Sequence, residues 1–178
     1  PSSAASDVYK RQELRDPSRH IVLSSIEDIA TIKKRENFSK IFLEYREGQL
    51  NTVILPVRGY GLWGILYGYL AISSDLNTIV GLEFYEHKET PGLGAEVDNP
   101  KWKALWRGKK IYDENGEILI KVVKGKVDNS SDMSTYEVDG LSGATLTSNG
   151  VSNLLAYWLS DSGFKKFLNN LKQENING

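Results

Sequence analysis

The 178-residue chain has no cysteine and only two histidines, His20 and His87. The first absence removes disulfides, thiol nucleophiles, cysteine zinc sites and iron–sulfur clusters together. The second argues against a multi-histidine metal site or a bis-histidine haem, so no metal site is expected. A surplus of charge is lacking too: 22 basic against 23 acidic side chains leave a net charge of −1. Nucleic acid requires a basic excess or a clustered basic face, and none is expected as a partner. No stretch reaches the 18 apolar residues that a spanning helix needs. The longest run of that character, Gly61 to Ile72, has twelve residues. Chemistry here must rest on hydroxyls, carboxylates, backbone amides or a borrowed cofactor.

What is present is ordinary for a globular protein. About 40% of the residues are hydrophobic and 10% aromatic, which excludes disorder over most of the chain. A chain of this length buries roughly 70% of its unfolded surface, so one domain with a real core is expected. The opening PSSAASDVYKRQ is polar and lacks the apolar region of a signal peptide. Its SDVYKRQ portion resembles translated sequencing-adapter sequence at the end of a truncated fragment. Residues 1–19 are therefore expected to be disordered or non-native, 20–172 to form the domain, and 173–178 to fray.

The patterning alternates between two periods. Ser25 and Asp28 fit a capped helix start, with Ile26, Ile29, Ala30 and Lys33 at partial helical spacing. Ile41 to Tyr45 fits a strand or a helix equally. Thr52 to Val57 reads as a strand in which Pro56 points to an edge or a bulge. In the twelve-residue run, one strand face carries Leu62, Gly64, Leu66, Gly68, Leu70 and Ile72. That face is smooth and glycine-pocked, open to close approach by another backbone or a flat ligand. Ile79 to His87 and Ile118 to Val123 read as further strands. Val151, Leu154, Leu155, Trp158 and Leu159 give a firm helical stripe, repeated by Phe164, Phe167, Leu168 and Leu171. The expected fold class is α+β, an antiparallel sheet with helices packed against it.

Four segments bear on chemistry. Gly59-Tyr60-Gly61-Leu62-Trp63-Gly64 spells G-x-G-x-x-G, but strand-like aromatic residues follow it, so a tight turn between strands is the better reading than a dinucleotide site. His87-Lys88-Glu89 has the H-x-E spacing of zinc deaminases without their cysteine pair. In Glu89-Thr90-Pro91-Gly92-Leu93-Gly94-Ala95-Glu96, Pro91 fixes one dihedral angle while the two glycines allow unusual ones. This loop suits a planar hydrophobic ligand with Leu93 at its tip, or is an ordinary connection. Asp139-Gly140-Leu141-Ser142-Gly143-Ala144-Thr145-Leu146-Thr147-Ser148 leads into the first helical stripe. A helix start offers unpaired N–H groups to a phosphate, with Thr147 or Ser148 as plain N-caps in the alternative.

DGLSGAT resembles the flavinylation motif of membrane-bound respiratory flavoproteins, in which FMN is esterified through its phosphate to the last threonine. RGYGLWGILYGYL, HKETPGLGAEVDNPKW and SGATLTSNGV together resemble the FMN-binding domain family, and within it the C subunits of the sodium-translocating NADH:quinone reductase. The likeness spans roughly residues 20–172. The G subunits of the Rnf electron-transport complex share the SGAT motif and a similar loop, whereas AEVDNPKW favours the reductase.

The resemblance implies a single FMN-binding domain with covalent FMN on Thr145. It implies an electron-relaying subunit, not a stand-alone catalyst, in a membrane complex that oxidises NADH, reduces ubiquinone and pumps sodium. Maturation would require a flavin transferase with FAD as donor. The family also has an N-terminal membrane helix, absent from this chain, which holds the domain on the periplasmic face of the bacterial inner membrane. The chain itself is expected to be soluble. Candidate flavin contacts are Leu62, Trp63, Thr90, Leu93, Gly94, Ser142, Gly143 and Ala144. Asp139, with Ser142, Gly143 and Ala144, is the candidate recognition element for the transferase, and a turn-forming role for Asp139 is the alternative. A flavin-free assembly module and a domain with freely exchangeable FMN are the competing classes.

Overall fold

Twelve residues read as one strand become a turn followed by a strand. In the computed structural model, which describes residues 14–177, the chain begins with a short hairpin of β1 (His20–Val22) and β2 (Lys34–Glu36). Four antiparallel strands follow in the order β3-β4-β5-β6: β3 (Phe42–Arg46), β4 (Gln49–Tyr60), β5 (Ile65–Ser73) and β6 (Ile79–Glu86). After a 3-10 turn, Gly94–Asp98, comes the short helix α1 (Pro100–Ala104). Two-residue strands β7 (Lys121–Val122) and β8 (Glu137–Val138) pair in parallel. The helices α2 (Thr145–Trp158) and α3 (Lys165–Asn177) close the fold. The α+β class holds: an antiparallel sheet with helices packed against it, in one domain.

The two-residue period of β5 decides which face meets the helices. Leu66, Gly68, Leu70 and Ile72 are buried, while Tyr67, Tyr69 and Ala71 lie half-buried on the opposite face. On that outer face Tyr69 packs against Tyr85 at 5.4 Å and meets Phe42 edge-on at 6.4 Å. The glycine pocket at Gly68 is filled by backbone, since a Cβ there would lie 2.5 Å from the Glu83 carbonyl. No room remains for a flat ligand there. Helix α2 covers the inner face: a Cβ at Gly59 would lie 2.5 Å from Leu154 Cβ. At the far end of α2, the Trp158 indole N–H donates to the Arg58 carbonyl at 2.7 Å and Trp158 stacks on Phe164.

Two local expectations change. No helix forms over residues 25–33. The Asp28 carboxylate instead accepts from the Ile32 and Lys33 amides at 2.8 and 2.7 Å, and Thr31 and Lys33 take left-handed φ values of 54° and 64°. The reason is tertiary: Ala30 is buried and its carbonyl accepts from Tyr60 N at 2.8 Å, so the segment folds back onto β4. The strand expected over Ile118 to Val123 shrinks to Lys121–Val122: the Leu119 and Ile120 amides both donate to the Ile111 carbonyl, at 2.9 and 3.3 Å, and Val122 N donates to the Ser152 hydroxyl of α2 at 2.9 Å. The edge signature of Pro56 has a simple origin. Proline lies beyond the last β3 partner of β4, which is Ile54, so no ladder bond from β3 is lost.

Residues 1–13 and 178 lie outside the described residues, and with them most of the segment expected to be non-native. Residues 14–19 form turns, in which Asp16 accepts from the Ser18 amide and hydroxyl. Helix α3 runs on to Asn177, through most of the stretch expected to fray. Among the described residues no helix is long and apolar enough to cross a membrane.

Asp75 organises the β5–β6 turn. Its carboxylate accepts from the Ser73 hydroxyl and the Asn77 and Thr78 amides at 2.7–2.9 Å, from the Thr78 hydroxyl, and pairs with Lys110 at 3.2 Å. Partial burial pushes the carboxyl up, but these donors outweigh it and hold it well below the usual range. A depressed folded value means stability present above the unfolded carboxyl value and lost as pH falls towards the folded one. Asp75→Asn should therefore lower Tm at pH 7, with the gap to the parent narrowing below about pH 4. Thermal melts across that range check it; a constant gap would contradict it.

Candidate functional site

The site forms where the β4–β5 turn and the loop after β6 meet the start of α2. The turn Gly61–Gly64 closes with Gly61 N donating to the Gly64 carbonyl at 2.8 Å. This agrees with a tight connection for the G-x-G-x-x-G string, with a strand and not a helix on its far side. In the loop after β6, Gly92 takes a φ of +74°, and the Leu93 and Ala95 amides both donate to the Thr90 carbonyl at 3.1 Å. Trp63 Nε1 donates to the Thr90 hydroxyl at 3.1 Å, joining turn to loop. Leu93 then reaches the α2 loop: a Cβ at Gly143, whose φ is +69°, would lie 2.9 Å from Leu93 Cδ2. Leu62, Trp63, Thr90, Leu93, Gly94, Ser142, Gly143, Ala144 and Thr145 thus belong to one neighbourhood.

Hydroxyl groups at the α2 start divide into two kinds. Thr147 and Ser148 are buried and engaged: the Thr147 hydroxyl donates to Glu89, while Ser148 Oγ accepts from Leu141 N at 3.0 Å and donates to the Ala144 carbonyl at 3.1 Å. Neither is the N-cap. Ala144 holds that position with no side-chain hydrogen bond, which leaves the first-turn amides to a ligand. Thr145 is exposed at the first helical position, and Ser142 and Gly143 are exposed beside it. A phosphate esterified to the Thr145 oxygen would carry its negative charge at the helix start and gain about 0.3–1 kcal/mol from the helix dipole.

Around that hydroxyl the surface is unusually apolar. Leu62, Trp63, Leu93 and Leu146 are between 37% and 61% exposed, where large apolar side chains are ordinarily covered. Exposed leucines and an indole beside free amides fit FMN: the former match its flat ring, the latter its phosphate. Leu146 was not legible as a contact, since it falls off the Val151–Leu159 stripe and otherwise looks like a stray surface leucine.

Asp139 sits apart from this surface. Its carboxylate accepts from Val127 N at 2.9 Å and from Lys126 Nζ at 2.7 Å, and its carbonyl accepts from Trp102 Nε1 at 2.8 Å. Burial raises its carboxyl, but the Lys126 and Val127 hydrogen bonds outweigh this and the net shift is downward. Next to it Gly140 N donates to the Gly125 carbonyl at 2.8 Å, and a Cβ on Gly140 would strike the Val123 carbonyl. Asp139 and Gly140 therefore fix how the SGAT loop leaves β8.

Glu89 and Gly150 complete the neighbourhood. In the sequence Glu89 reads as part of H-x-E and as the start of the glycine loop, with no role of its own; the structure turns it inward, while His87 pairs with Asp98 at 2.7 Å. Gly150 fixes the height of α2 above the turn, because a Cβ there would strike the Tyr60 carbonyl and lie 3.0 Å from Gly61 Cα. Alanine normally gains about 1 kcal/mol over glycine inside a helix. At Gly150 overpacking should reverse the sign, giving a net loss of about 1–2 kcal/mol for Gly150→Ala. Urea denaturation measures it, and a stabilised variant would refute the close approach.

Comparison with known proteins agrees with this geometry. The profile of the FMN-binding domain matches residues 61–160. The C subunit of the Na(+)-translocating NADH-quinone reductase of Pseudomonas aeruginosa is 56% identical over 159 residues, covering 89% of this chain and 61% of that protein. Its counterpart in Yersinia pestis is 44% identical over 165 residues, covering 92% of this chain and again 61% of the relative. The crystal structure of Shewanella oneidensis NqrC superposes with a TM-score of 0.86 at 37% identity, over 97% of this chain and 78% of that one. The chain thus spans about three fifths of the length of these two curated relatives. By profile, sequence and fold, it belongs to the FMN-binding domain family and, within it, to the C subunits of the Na(+)-translocating NADH-quinone reductase.

Proposed function

We propose that this domain carries one FMN esterified through its phosphate to Thr145, and relays electrons within a membrane complex that oxidises NADH, reduces quinone and moves sodium. The observation that carries the reading is the sorting of hydroxyls at the α2 start. Thr147 and Ser148 are buried and bonded, whereas Thr145 is exposed, uncapped and ringed by exposed apolar side chains. The bound flavin would supply the redox chemistry. This chain's own residues present the hydroxyl, offer amides to the phosphate and cover the ring. Leu62, Trp63, Leu93 and Leu146 exclude water from one side, and Thr90 orients the Trp63 indole. Gly94 keeps the loop close to α2, since a Cβ there would lie 2.6 Å from the Thr147 hydroxyl.

The same reading assigns maturation to a flavin transferase that recognises the loop Asp139–Thr145. Asp139 contributes by shaping that loop through Val127 and Lys126, with Ser142, Gly143 and Ala144 presenting the approach to Thr145. It also places the domain on the outer face of the bacterial cytoplasmic membrane, held there by the membrane helix of the full-length protein and by the other members of the complex. Expression of the chain with and without a flavin transferase tests the assignment. With the enzyme, the mass should rise by one FMN less one water, on the Thr145 peptide, and the colour should survive denaturation. Colour stripped by denaturant would mean exchangeable FMN, and no mass change would mean a flavin-free module; either result overturns the proposal.

A further inference from the structure

Glu89 is 6% exposed, yet among the described residues no counter-ion is a hydrogen-bond partner of it. Its oxygens accept from Leu62 N at 3.1 and 3.2 Å, from Trp63 N at 3.0 Å and from the Thr147 hydroxyl. The partners are two amides of the β4–β5 turn and one hydroxyl of the first turn of α2. Its own backbone opens the Thr90–Gly94 loop. Two glycines lie against the carboxylate: a Cβ at Gly61 would be 2.7 Å from Oε1, and one at Gly94 would be 2.7 Å from Oε2. All three segments that surround Thr145 therefore converge on one buried side chain. A carboxylate is suited to this because it accepts several hydrogen bonds at once, which no neutral side chain of that size does.

From this convergence we propose that Glu89 is the positioning residue of the flavin seat, holding Leu62 and Trp63 against the start of α2 and placing a carboxylate bonded only to neutral donors, among the described residues, beside the flavin. The second part follows from elementary electrostatics. A fixed negative charge in a poorly solvated site disfavours adding electrons to a neighbouring group, so Glu89 keeps the flavin potential low. The proposal rests on FMN at Thr145 only for that second part; the first concerns the protein alone.

The test compares Glu89→Gln and Glu89→Asp with the parent in two measurements. Hydrogen exchange on the flavin-free chain reads the Leu62 and Trp63 amides. Glu89→Gln, which turns one acceptor into a donor facing donors, should speed exchange about tenfold or more at these two sites. Unchanged exchange there would overturn the positioning role, whether or not any flavin is ever attached. Redox titration of the chain loaded by co-expressed transferase reads the charge. Glu89→Gln should shift the midpoint potential upward and perturb the flavin absorption bands, while Glu89→Asp, which keeps the charge, should stay nearer the parent potential. A potential equal in Glu89→Gln and the parent overturns the electrostatic role. A parent that takes up no flavin overturns the functional reading and, with it, the electrostatic role; the exchange result still decides the positioning role.

Discussion

Thr145→Ala should abolish covalent flavin incorporation completely while leaving the fold as it is. Esterification requires a hydroxyl that can leave its intramolecular partners, reach solvent and lie beside donors able to hold a phosphate. Thr147 and Ser148 fail the first two conditions, since both are buried and hydrogen-bonded. Thr145 meets all three at the exposed, uncapped start of α2. Because its side chain is exposed, alanine there should change stability by no more than about 0.5 kcal/mol. Intact-mass measurement after co-expression with the transferase gives a yes or no answer. A variant that still gains FMN less one water, at Ser142 or elsewhere, would refute the assignment; so would a variant that fails to fold.

Arg58→Ala should cost about 3–5 kcal/mol, the usual penalty for removing one member of a buried ion pair. Arg58 pairs with Glu36 at 2.7 Å, with side chains only 4% and 1% exposed, and also donates to the Lys34 carbonyl at 2.9 Å. Its guanidinium lies 5.1 Å from the centre of the Trp158 ring, so alanine removes that contact as well. Burial pushes the Glu36 carboxyl up, but the charge and hydrogen bonds of Arg58 lead the effects that offset this, and the net shift is downward. Without Arg58 the upward push of burial dominates, and Glu36 in the variant should prefer its neutral form. The parent's pair stabilises above the unfolded glutamate value and loses that contribution as pH falls through the lowered folded value. The variant should do the reverse, regaining stability as Glu36 is protonated. Denaturation at pH 7 and pH 4 should therefore show a gap that narrows in acid, and a gap that widens would contradict the account.

The sequence was informative wherever one period or one motif dominated. The stripe Val151 to Leu159 and the alternation along Leu66 to Ile72 map directly onto buried positions, because each has only one way to hide its apolar side. The three strings around Thr145 were legible as related, and the structure brings them together. What stayed hidden depended on tertiary partners. Residues 25–33 carry helical spacing, but the Asp28 carboxylate accepts from the Ile32 and Lys33 amides and the Ala30 carbonyl is claimed by Tyr60 N. Val122 gives its amide to Ser152, thirty residues away, which no local pattern announces. Glu89 was hardest to read, since an acidic residue beside His87 looks like surface or metal chemistry until its burial is known.

The anchoring of α2 bears on the job proposed for Thr145. The helix has 14 residues, which at 1.5 Å per residue makes it about 21 Å long. Its far end is pinned by the Trp158 indole on Arg58 and by the Tyr112 hydroxyl on the Leu159 carbonyl at 2.7 Å. A rod fixed at one end would still swing at the other, but Gly150 lies hard against Tyr60 near the Thr145 end. Held at two points, α2 acts as a post and not a lever. Electron tunnelling falls off exponentially with separation, so a redox group on such a post would exchange electrons over a nearly constant gap, with its rate set by how the whole domain docks.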